Sequence, residues 1–398
     1  MPGSVFRKIL NSTSQTFTMY NAIIQKIKSL FPGQDFIPLH EPRFVGNDKA
    51  YVLDAIESTY VSSVGKYVDR FEEMIRNYTG ANYAVATVNG TAALHMSLIL
   101  AGVKRDDLVI TQPFSFIATC NAISYIGAEP LFIDISKTTL GLSAEKLESF
   151  LVSETETKNN VCCHKASGKR ISACVPMHSF GHPAELNELV TICERYGIPL
   201  IEDAAESIGS FYNNRHTGTF GLLGAFSFNG NKTITCGGGG VIITNDEKLA
   251  KLGKHLTTQA KVPHKWEFNH DHIGYNYRLP NLNAALACAQ MEQLDSFLEN
   301  KRELSLKYKS FFRNQPVTFV EEPINSESNY WLNAILFNNR RERDEFLTQS
   351  NANGVMTRPA WELMHRLPMF KNCVRGDLSN AEDIEARLVN IPSSVILK

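Results

Sequence analysis

The segment IPLIEDAAE at residues 198–206 is the most informative stretch for predicting the fold of this chain. An apolar run typical of a buried strand ends there in two acids, Glu202 and Asp203. In an open α/β sheet, the carboxyl ends of the strands border the crevice that binds ligands. The segment SFNGNK at residues 227–232 follows downstream and contributes Lys232. We therefore expect an acid and a lysine to face one ligand crevice.

Short apolar runs alternate with helical patterns on both sides of this segment. Helical patterns occupy residues 91–100, 118–126 and 186–196. The strand-like runs are YAVAT at 83–87, LVIT at 108–111, PLFID at 130–134, ACVPM at 173–177, GAFSF at 224–228 and GVIIT at 240–244. Strands separated by helices predict an α/β fold whose sheet is mostly parallel and covered on both faces.

The pattern divides the chain into three regions. We expect an N-terminal arm with amphipathic helical stretches at 1–35, a large domain at 36–270 and a smaller α+β C-terminal domain at 271–398. The last region contains one long helical pattern at 283–304, followed by short strands and helices. Residues 153–170 are polar and predict an exposed insertion in the large domain.

Composition excludes several classes of protein. The chain has 398 residues, with 40 Lys and Arg against 41 Asp and Glu, and a formal net charge of -1. Nucleic-acid binders carry a basic excess, which is missing here. No uninterrupted apolar run approaches the length of a membrane-spanning helix, and the N-terminus lacks the apolar core of a signal peptide. We expect a cytoplasmic protein without a nucleic-acid or membrane partner.

The cysteines do not indicate a metal site. Eight are present, and the stretch VCCHKASGKRISAC at 161–174 holds three of them beside His164. Their spacing matches none of the usual paired zinc ligands, and a disulfide scaffold is improbable in a chain of this size. We expect free thiols and no metal.

The glycine motifs argue against two common nucleotide-binding classes. A Walker A loop needs Gly directly before its Lys, and Asn231 stands before Lys232. The segment HTGTFGLLG spaces Gly218, Gly221 and Gly224 three residues apart and does not spell GxGxxG. A nucleoside triphosphatase and a dinucleotide oxidoreductase therefore lose support.

The remaining pattern fits an aldehyde cofactor. Pyridoxal phosphate needs a lysine that bonds its aldehyde, an acid for its ring nitrogen and a cup for its phosphate. Lys232 and Asp203 supply the first two. Residues 89–91, Asn-Gly-Thr, lie between a predicted strand and a predicted helix. Free N–H groups and the helix dipole favour a phosphate there, and the hydroxyls of Thr91 and Ser227 add donors.

Five ordered segments resemble the DegT/DnrJ/StrS sugar aminotransferases. They are NGTAALHMSLILAG at 89–102, QPFSFIATCNAISYIGAEPLFIDI at 112–135, IEDAAESIGS at 201–210, GAFSFNGNKTITCGGGG at 224–240 and GYNYRLPNLNAALACAQMEQL at 274–294. The likeness runs from about residue 37 to the end. It implies a fold-type I pyridoxal-phosphate enzyme, with a mostly parallel sheet in a large domain and a smaller α+β C-terminal domain.

Three further segments are similar to one subgroup, assigned to legionaminic-acid-type nonulosonate pathways. They are YVSSVGKYVDRFE at 60–72, HLTTQAKVPHKWEFNHDHIGYNYRLPN at 255–281 and NIPSSVIL at 390–397. This finer resemblance implies a nucleotide-sugar 4-aminotransferase.

The resemblance also implies roles for single residues. Lys232 matches the lysine that holds the cofactor covalently, and Asp203 matches the acid beneath the pyridine nitrogen. Gly90, Thr91 and Ser227 match phosphate-cup positions.

Three more positions carry over from the family. Phe116 falls where an aromatic ring stacks on the pyridine. Asn276 matches an asparagine that reaches the phosphate in the neighbouring subunit, which implies a homodimer with shared active sites. Glu206 stands near the ring hydroxyl, where relatives often have Gln or His. That departure leaves the role of Glu206 open.

Each of these residues also has an interpretation in which it has only a structural role. A loop lysine such as Lys232 is commonly solvated, and an acid after a strand, such as Asp203, often caps a helix. Phe116 would otherwise belong to the core and Asn276 to a turn. Four further side chains are candidates either for substrate contact or for structural bonds: His178, His182, Tyr275 and Arg278.

The implied reaction moves an amino group from glutamate to the C4 keto group of a nucleotide-linked 6-deoxy sugar. The substrate would be a UDP- or GDP-4-keto-6-deoxy-N-acetylglucosamine type of sugar, used for nonulosonic acid or surface polysaccharide synthesis. A pyridoxal-phosphate sugar dehydratase is one alternative, but such relatives have His in place of Lys232. The other is a protein that binds the cofactor or a sugar nucleotide without turnover.

Overall fold

A computed structural model describes residues 18–397 of the chain. The helices are α1 (18–30), α2 (Asp48–Glu57), α3 (Lys66–Thr79), α4 (Gly90–Leu100), α5 (Ile117–Tyr125), α6 (Ala144–Glu154), α7 (Leu186–Tyr196), α8 (Glu247–Thr257), α9 (Asn281–Met291), α10 (Leu294–Phe312), α11 (Arg340–Ala352) and α12 (Ser379–Arg387). The strands are β1 (Tyr83–Thr87), β2 (Leu108–Thr111), β3 (Glu129–Phe132), β4 (Thr155–Lys158), β5 (Val161–His164), β6 (Ile171–Val175), β7 (Ile201–Asp203), β8 (Phe211–Tyr212), β9 (Arg215–His216), β10 (Leu223–Ser227), β11 (Gly240–Thr244), β12 (Thr318–Phe319), β13 (Ser326–Glu327), β14 (Asn333–Leu336), β15 (Arg358–Pro359) and β16 (Leu388–Ile391).

The central sheet has the order β3–β2–β6–β7–β10–β11–β1. Two hydrogen-bonded groups, β3–β2–β6 and β7–β10–β11–β1, are joined by parallel bridges from Cys174 to Leu200 and from Met177 to Asp203. Only β11 runs antiparallel to its neighbours in this sheet. The predicted α/β fold with a mostly parallel sheet is confirmed.

Burial explains why these segments form strands. Strands β2, β6, β10 and β11 are buried along their whole length. Their sequences are continuous apolar runs because helices cover both faces of a parallel sheet. Strand β7 lies beside β10 with Asp203 opposite Ala225, so the carboxyl ends of these two strands meet.

The predicted long helix at 283–304 is wrong. The chain forms two helices instead, α9 and α10, which are separated at Glu292 and Gln293. No glycine or proline marks this break in the sequence. The break coincides with tertiary bonds, since the carboxylate of Glu292 accepts hydrogen bonds from Tyr51 and Arg70.

The predicted exposed insertion at 153–170 needs a partial correction. Strands β4 and β5 form a hairpin in this segment, and residues 162–164 are buried. The ring of His164 stacks on Phe150 of α6 at a centroid distance of 6.1 Å. One side of the hairpin therefore packs on the domain, and the rest of the segment is mostly exposed as predicted.

A second, antiparallel sheet lies in the C-terminal region, with strand order β12–β14–β16–β15. Helix α1 packs into its core, because Tyr20, Ile23 and Ile27 are buried in one cluster with Tyr308 and Val389. Residues 1–17 of the predicted arm lie outside the described residues. The domain boundaries at 35/36 and 270/271 stay predictions.

None of the helices within residues 18–397 combines the length and the apolar character needed to cross a membrane.

Candidate active site

A cavity of about 320 Å³ lies where β1, β7 and β10 end and α4 begins. Seven of the residues proposed from the sequence line it: Gly90, Thr91, Phe116, Asp203, Glu206, Ser227 and Lys232. Asn276 does not line it.

The start of α4 forms one end of the cavity. Asn89 caps the helix, since its Oδ1 accepts the N–H of Ala92 at 2.8 Å. A β-carbon on Gly90 would lie 2.6 Å from Cβ of Ser227, so only glycine allows the helix to begin this close to the end of β10. The first N–H groups of a helix lack partners within the helix and attract anions. Together with the hydroxyls of Thr91 and Ser227, they could hold a phosphate at this end of the cavity.

Asp203 lies at the carboxyl end of β7 and is 3% exposed. Its Oδ2 accepts the hydroxyl of Thr119 at 2.6 Å, and its Oδ1 accepts the N–H of Ala205 at 3.2 Å. Burial raises the pKa of Asp203, while these two donors and the charge of Lys232 act in the opposite direction. The carboxylate is therefore held in a fixed orientation and has lone pairs left for a further N–H donor.

The neighbouring acid, Glu202, has a structural role on the other face of β7. Its two oxygens accept the backbone N–H groups of Gly218, Phe220 and Gly221. It also bonds Nε2 of His178 at 3.0 Å. Alternation along the strand thus separates a loop anchor, Glu202, from the cavity acid that follows it.

The histidine candidates do not line the cavity. His178 is fully buried, and its Nδ1 accepts the N–H of Ala184 while Nε2 faces Glu202. Both ring nitrogens are satisfied, so the structural interpretation holds for this residue. His182 is also buried and packs edge-on against Tyr330.

Lys232 follows β10 on a loop and reaches into the cavity. Its side chain is 11% exposed, and Nζ lies 3.4 Å from Oε1 of Glu206. On another side, the ring centroid of Trp331 is 4.1 Å from Nζ. The solvated interpretation of this lysine is therefore wrong, because the amine lies between an acid and an aromatic ring.

Glu206 is the second acid of the cavity and is 2% exposed. Its Oε2 accepts the backbone N–H of Phe180 at 2.9 Å. Burial is the main cause that raises the pKa of Glu206 to about 7, and Lys232 opposes that rise. Its carboxyl group can therefore gain and lose a proton near neutral pH.

Phe116 lies at the mouth of the cavity and is 51% exposed. It directly precedes α5, the helix that supplies Thr119 to Asp203. Its interpretation as a core residue is wrong. Stacking on a cofactor ring stays a prediction.

Two cavity residues come from the C-terminal region and were not predicted. Trp331 faces Lys232 and donates its indole N–H to the carbonyl oxygen of Asn231 at 2.6 Å. Trp361 lines the cavity and stacks on Phe180 with a centroid distance of 5.1 Å. No local motif marks either tryptophan, because each reaches the cavity only through packing between distant segments.

Asn276 belongs to a different surface. It is exposed, forms a bridge to Thr258, and its Oδ1 accepts hydrogen bonds from Arg278. Tyr275 packs on the ring of His95, and neither Tyr275 nor Arg278 lines the cavity.

The Cys/His stretch at 161–174 does not form a metal-ligand cluster in the described part of the chain. Within residues 18–397, the one group of three convergent metal-type ligands is His255, Asp271 and His272. Both histidines hydrogen-bond the same carboxylate oxygen of Asp271, at 2.6 and 2.9 Å.

The cavity fits pyridoxal phosphate. It offers a largely enclosed amine, a buried carboxylate fixed by two donors, and a glycine-dependent helix start that could hold a phosphate. These are the three groups that this cofactor requires.

Comparisons with known proteins identify the family of the chain. The model of the DegT/DnrJ/EryC1/StrS aminotransferase family matches residues 43–398. GDP-perosamine synthase of Escherichia coli O157:H7 is 35% identical over 358 residues, which cover 90% of this chain and 93% of the relative. EpsN of Bacillus subtilis, named as a pyridoxal phosphate-dependent aminotransferase, is 35% identical over 362 residues, or 90% of each chain. A crystal structure of a DegT/DnrJ/EryC1/StrS aminotransferase from Brucella abortus superposes with a TM-score of 0.81 at 27% identity, covering 88% of this chain and 91% of that one.

Proposed function

Because this chain belongs to the DegT/DnrJ/EryC1/StrS aminotransferase family, we propose that it aminates the C4 keto group of a nucleotide-linked 4-keto-6-deoxy sugar. The enzyme is a pyridoxal phosphate-dependent sugar aminotransferase. The particular sugar, the glutamate donor and the nonulosonic-acid or surface-polysaccharide pathway are parts of the proposal. A cytoplasmic location also stays a prediction.

One observation carries the proposal: Lys232, Asp203 and the cradle of Gly90 and Ser227 line a single cavity. When bound, pyridoxal phosphate supplies an aldehyde and a ring that withdraws electrons. Gly90, Thr91 and Ser227 would hold its phosphate. These contacts are at one end of the cavity, so they fix the direction in which the rest of the group extends.

Asp203 and Lys232 would divide the proton chemistry. Asp203 would hold a proton on the ring nitrogen by charge pairing, because its carboxylate is oriented by Thr119 and Ala205. Lys232 would bind the aldehyde, and its freed amine would remove the proton from the donor's α-carbon and return it at the adjacent cofactor carbon. A lysine is competent for both steps, which supports amino transfer over dehydration.

The relatives support a nucleotide-linked sugar as the substrate, but they do not identify which sugar it is. GDP-perosamine synthases from three organisms are 31% to 35% identical to this chain. The legionaminic-type subgroup that the sequence resembles would use a UDP- or GDP-linked N-acetylated sugar. We keep a GDP- or UDP-4-keto-6-deoxy-N-acetylglucosamine type as the proposed substrate.

A homodimer with shared sites is the proposed assembly. Asn276 lies outside its own chain's cavity, on a segment whose Trp266, Phe268 and Ile273 are exposed. A partner subunit would cover these apolar side chains and would receive Asn276 at its phosphate cradle.

Incubation with glutamate and a panel of 4-keto nucleotide sugars tests the proposal. We expect one sugar to gain the mass change of a keto-to-amine conversion, with 2-oxoglutarate formed in equal amount. Lys232→Ala is the matched control and should form neither product. Turnover of a sugar without glutamate would indicate a dehydratase, and no turnover with any sugar would indicate a binding protein.

A further inference from the structure

Glu206 and Lys232 form an acid–amine pair in the cavity, beside Asp203, in which the acid is buried and the amine is largely enclosed. We propose that Glu206 is a proton-holding residue whose carboxylate shares one proton with Nζ of Lys232. The proposal rests on the proposed function, since it takes Lys232 as the reacting amine.

The position of Glu206 is fixed by one hydrogen bond to its side chain and one to its backbone. Its Oε2 accepts the N–H of Phe180, a residue with a left-handed backbone at φ 59°. Its backbone oxygen accepts the side-chain amide of Asn329 at 2.8 Å. Oε1 is then left to face Nζ of Lys232 at 3.4 Å. The contact is therefore a consequence of how Glu206 is anchored.

The charges around the pair favour a shared proton. Lys232 and Asp203 are the charged groups that face Glu206. His178 acts on Asp203, and His40 lies near Lys232, where burial and the nearby cations lower its pKa far below the usual range. One lysine cannot neutralise two buried carboxylates, and burial disfavours the second negative charge.

Hydrogen bonding decides which acid takes the proton. Asp203 accepts two hydrogen bonds, from the hydroxyl of Thr119 and from the N–H of Ala205. Glu206 has the single N–H of Phe180, and its pKa of about 7 is consistent with weaker support for the charged form. Glu206 is thus the acid that gains a proton first as the pH falls.

The proton transfer involves one bond broken and one bond formed. The N–H bond of the Lys232 ammonium breaks and an O–H bond forms at Oε1 of Glu206, with the electron pair of the broken bond left on Nζ. The ring of Trp331, 4.1 Å from Nζ, stabilises the ammonium before transfer. The reverse transfer restores the ammonium, so the lysine amine becomes available without release of its proton to water.

A pH titration of the absorbance of the cofactor-loaded enzyme tests this pairing, because Nζ would keep one proton when it bonds the aldehyde and that proton would be the one shared with Glu206. We expect two steps in the wild-type protein, because both members of a coupled pair titrate. Glu206→Gln keeps the shape and removes the charge. It should leave one step. Glu206→Asp should keep two steps.

A matched control separates this effect from the loss of any buried acid. Glu385 is buried in the C-terminal region and pairs with Arg343 and Arg366. Glu385→Gln should therefore titrate like the wild type. If Glu206→Gln also titrates like the wild type, the shared proton is excluded.

Two outcomes distinguish this inference from the proposed function. Lys232→Ala should lose the titrating absorbance, and its retention would overturn the proposed function itself. If Lys232→Ala loses the titrating absorbance but the wild-type enzyme titrates in one step, only the pairing with Glu206 is overturned. The number of steps in the wild-type titration tests the shared proton even if Glu206→Gln does not fold.

Discussion

A β-carbon placed on Gly90 would lie 2.6 Å from Cβ of Ser227, closer than non-bonded carbon atoms approach. This distance ties the first residue of α4 to the last residue of β10. The glycine is therefore required by packing between the two ends that we propose as the phosphate cradle.

Gly90→Ala should consequently weaken pyridoxal phosphate binding. The added methyl group separates the helix start from Ser227, and we expect at least a tenfold loss of affinity, about 1.4 kcal/mol. Cofactor titration followed by fluorescence measures it. Gly376→Ala is the control, because its β-carbon would meet Phe150 at an ordinary 3.6 Å. Equal affinities in the two variants would contradict the cradle.

Asp203→Asn should lower turnover far more than cofactor affinity. Asparagine cannot hold a ring proton by charge, whereas the phosphate cradle is unchanged. We expect kcat to fall by at least a hundredfold, about 3 kcal/mol of transition-state stabilisation. Steady-state kinetics and a cofactor titration on the same sample separate the two effects. A variant with near wild-type kcat would make Asp203 structural.

Local sequence patterns predicted the parts of the site that lie at strand ends. The apolar runs before Thr87, Asp203 and Ser227 are set by burial on both sheet faces, so their ends could be placed to within about one residue. Trp331 and Trp361 could not be placed this way. Each reaches the cavity from the C-terminal region through tertiary packing, which no periodicity in the sequence records.

The same limit explains the wrong helix prediction. The pattern from α9 into α10 continues without a glycine or proline, and the interruption at Glu292 coincides with bonds to the distant residues Tyr51 and Arg70. The role of Glu206 stayed open for a related reason. Its pairing with Lys232 depends on the anchor at Phe180, a contact between separate loops.

Thr119→Val should move the acid limb of the activity profile to higher pH. The hydroxyl of Thr119 donates to Asp203 and lowers its pKa, whereas burial raises it. Activity needs the ionised acid, so it is lost as the pH falls through that pKa. Removing one hydrogen bond to a charged group should therefore shift the limb upward. An unchanged pH dependence of kcat would show that Asp203 does not control this limb.

Lys301 should make the stability of the fold depend on pH. Its amine is fully buried and donates to the carbonyl oxygens of Trp331 and Ser393, and burial lowers its pKa to about 7. Between about pH 7 and 10, the unfolded chain binds this proton and the folded chain does not. The free energy of unfolding should therefore rise by about 1.4 kcal/mol per pH unit from this residue.

Lys301→Met isolates that contribution because methionine fills similar space without a titrating group. The difference in unfolding free energy between wild type and variant, measured by urea unfolding at fixed protein concentration, should grow in favour of the wild type from pH 7 to 10. Titrations of other groups cancel in this difference. A difference that does not change with pH would show that Lys301 has an ordinary pKa in the folded protein.

Asn276 should act on the active site of the partner subunit. It is exposed on a segment separate from its own cavity, beside apolar side chains that a second chain would cover. Subunits carrying Lys232→Ala and subunits carrying Asn276→Ala, each inactive alone, should therefore complement when mixed. In a mixed dimer, one site receives both defects and the other receives none.

Random pairing makes about half of the dimers mixed, and each mixed dimer has one intact site of two. About a quarter of wild-type activity should return after equal mixing and exchange of the subunits. Native mass spectrometry of size-tagged chains confirms the exchange independently of activity. If Asn276 served the cavity of its own chain, every site would have one defect and no activity would return. Mixed dimers without recovered turnover would therefore exclude the shared site.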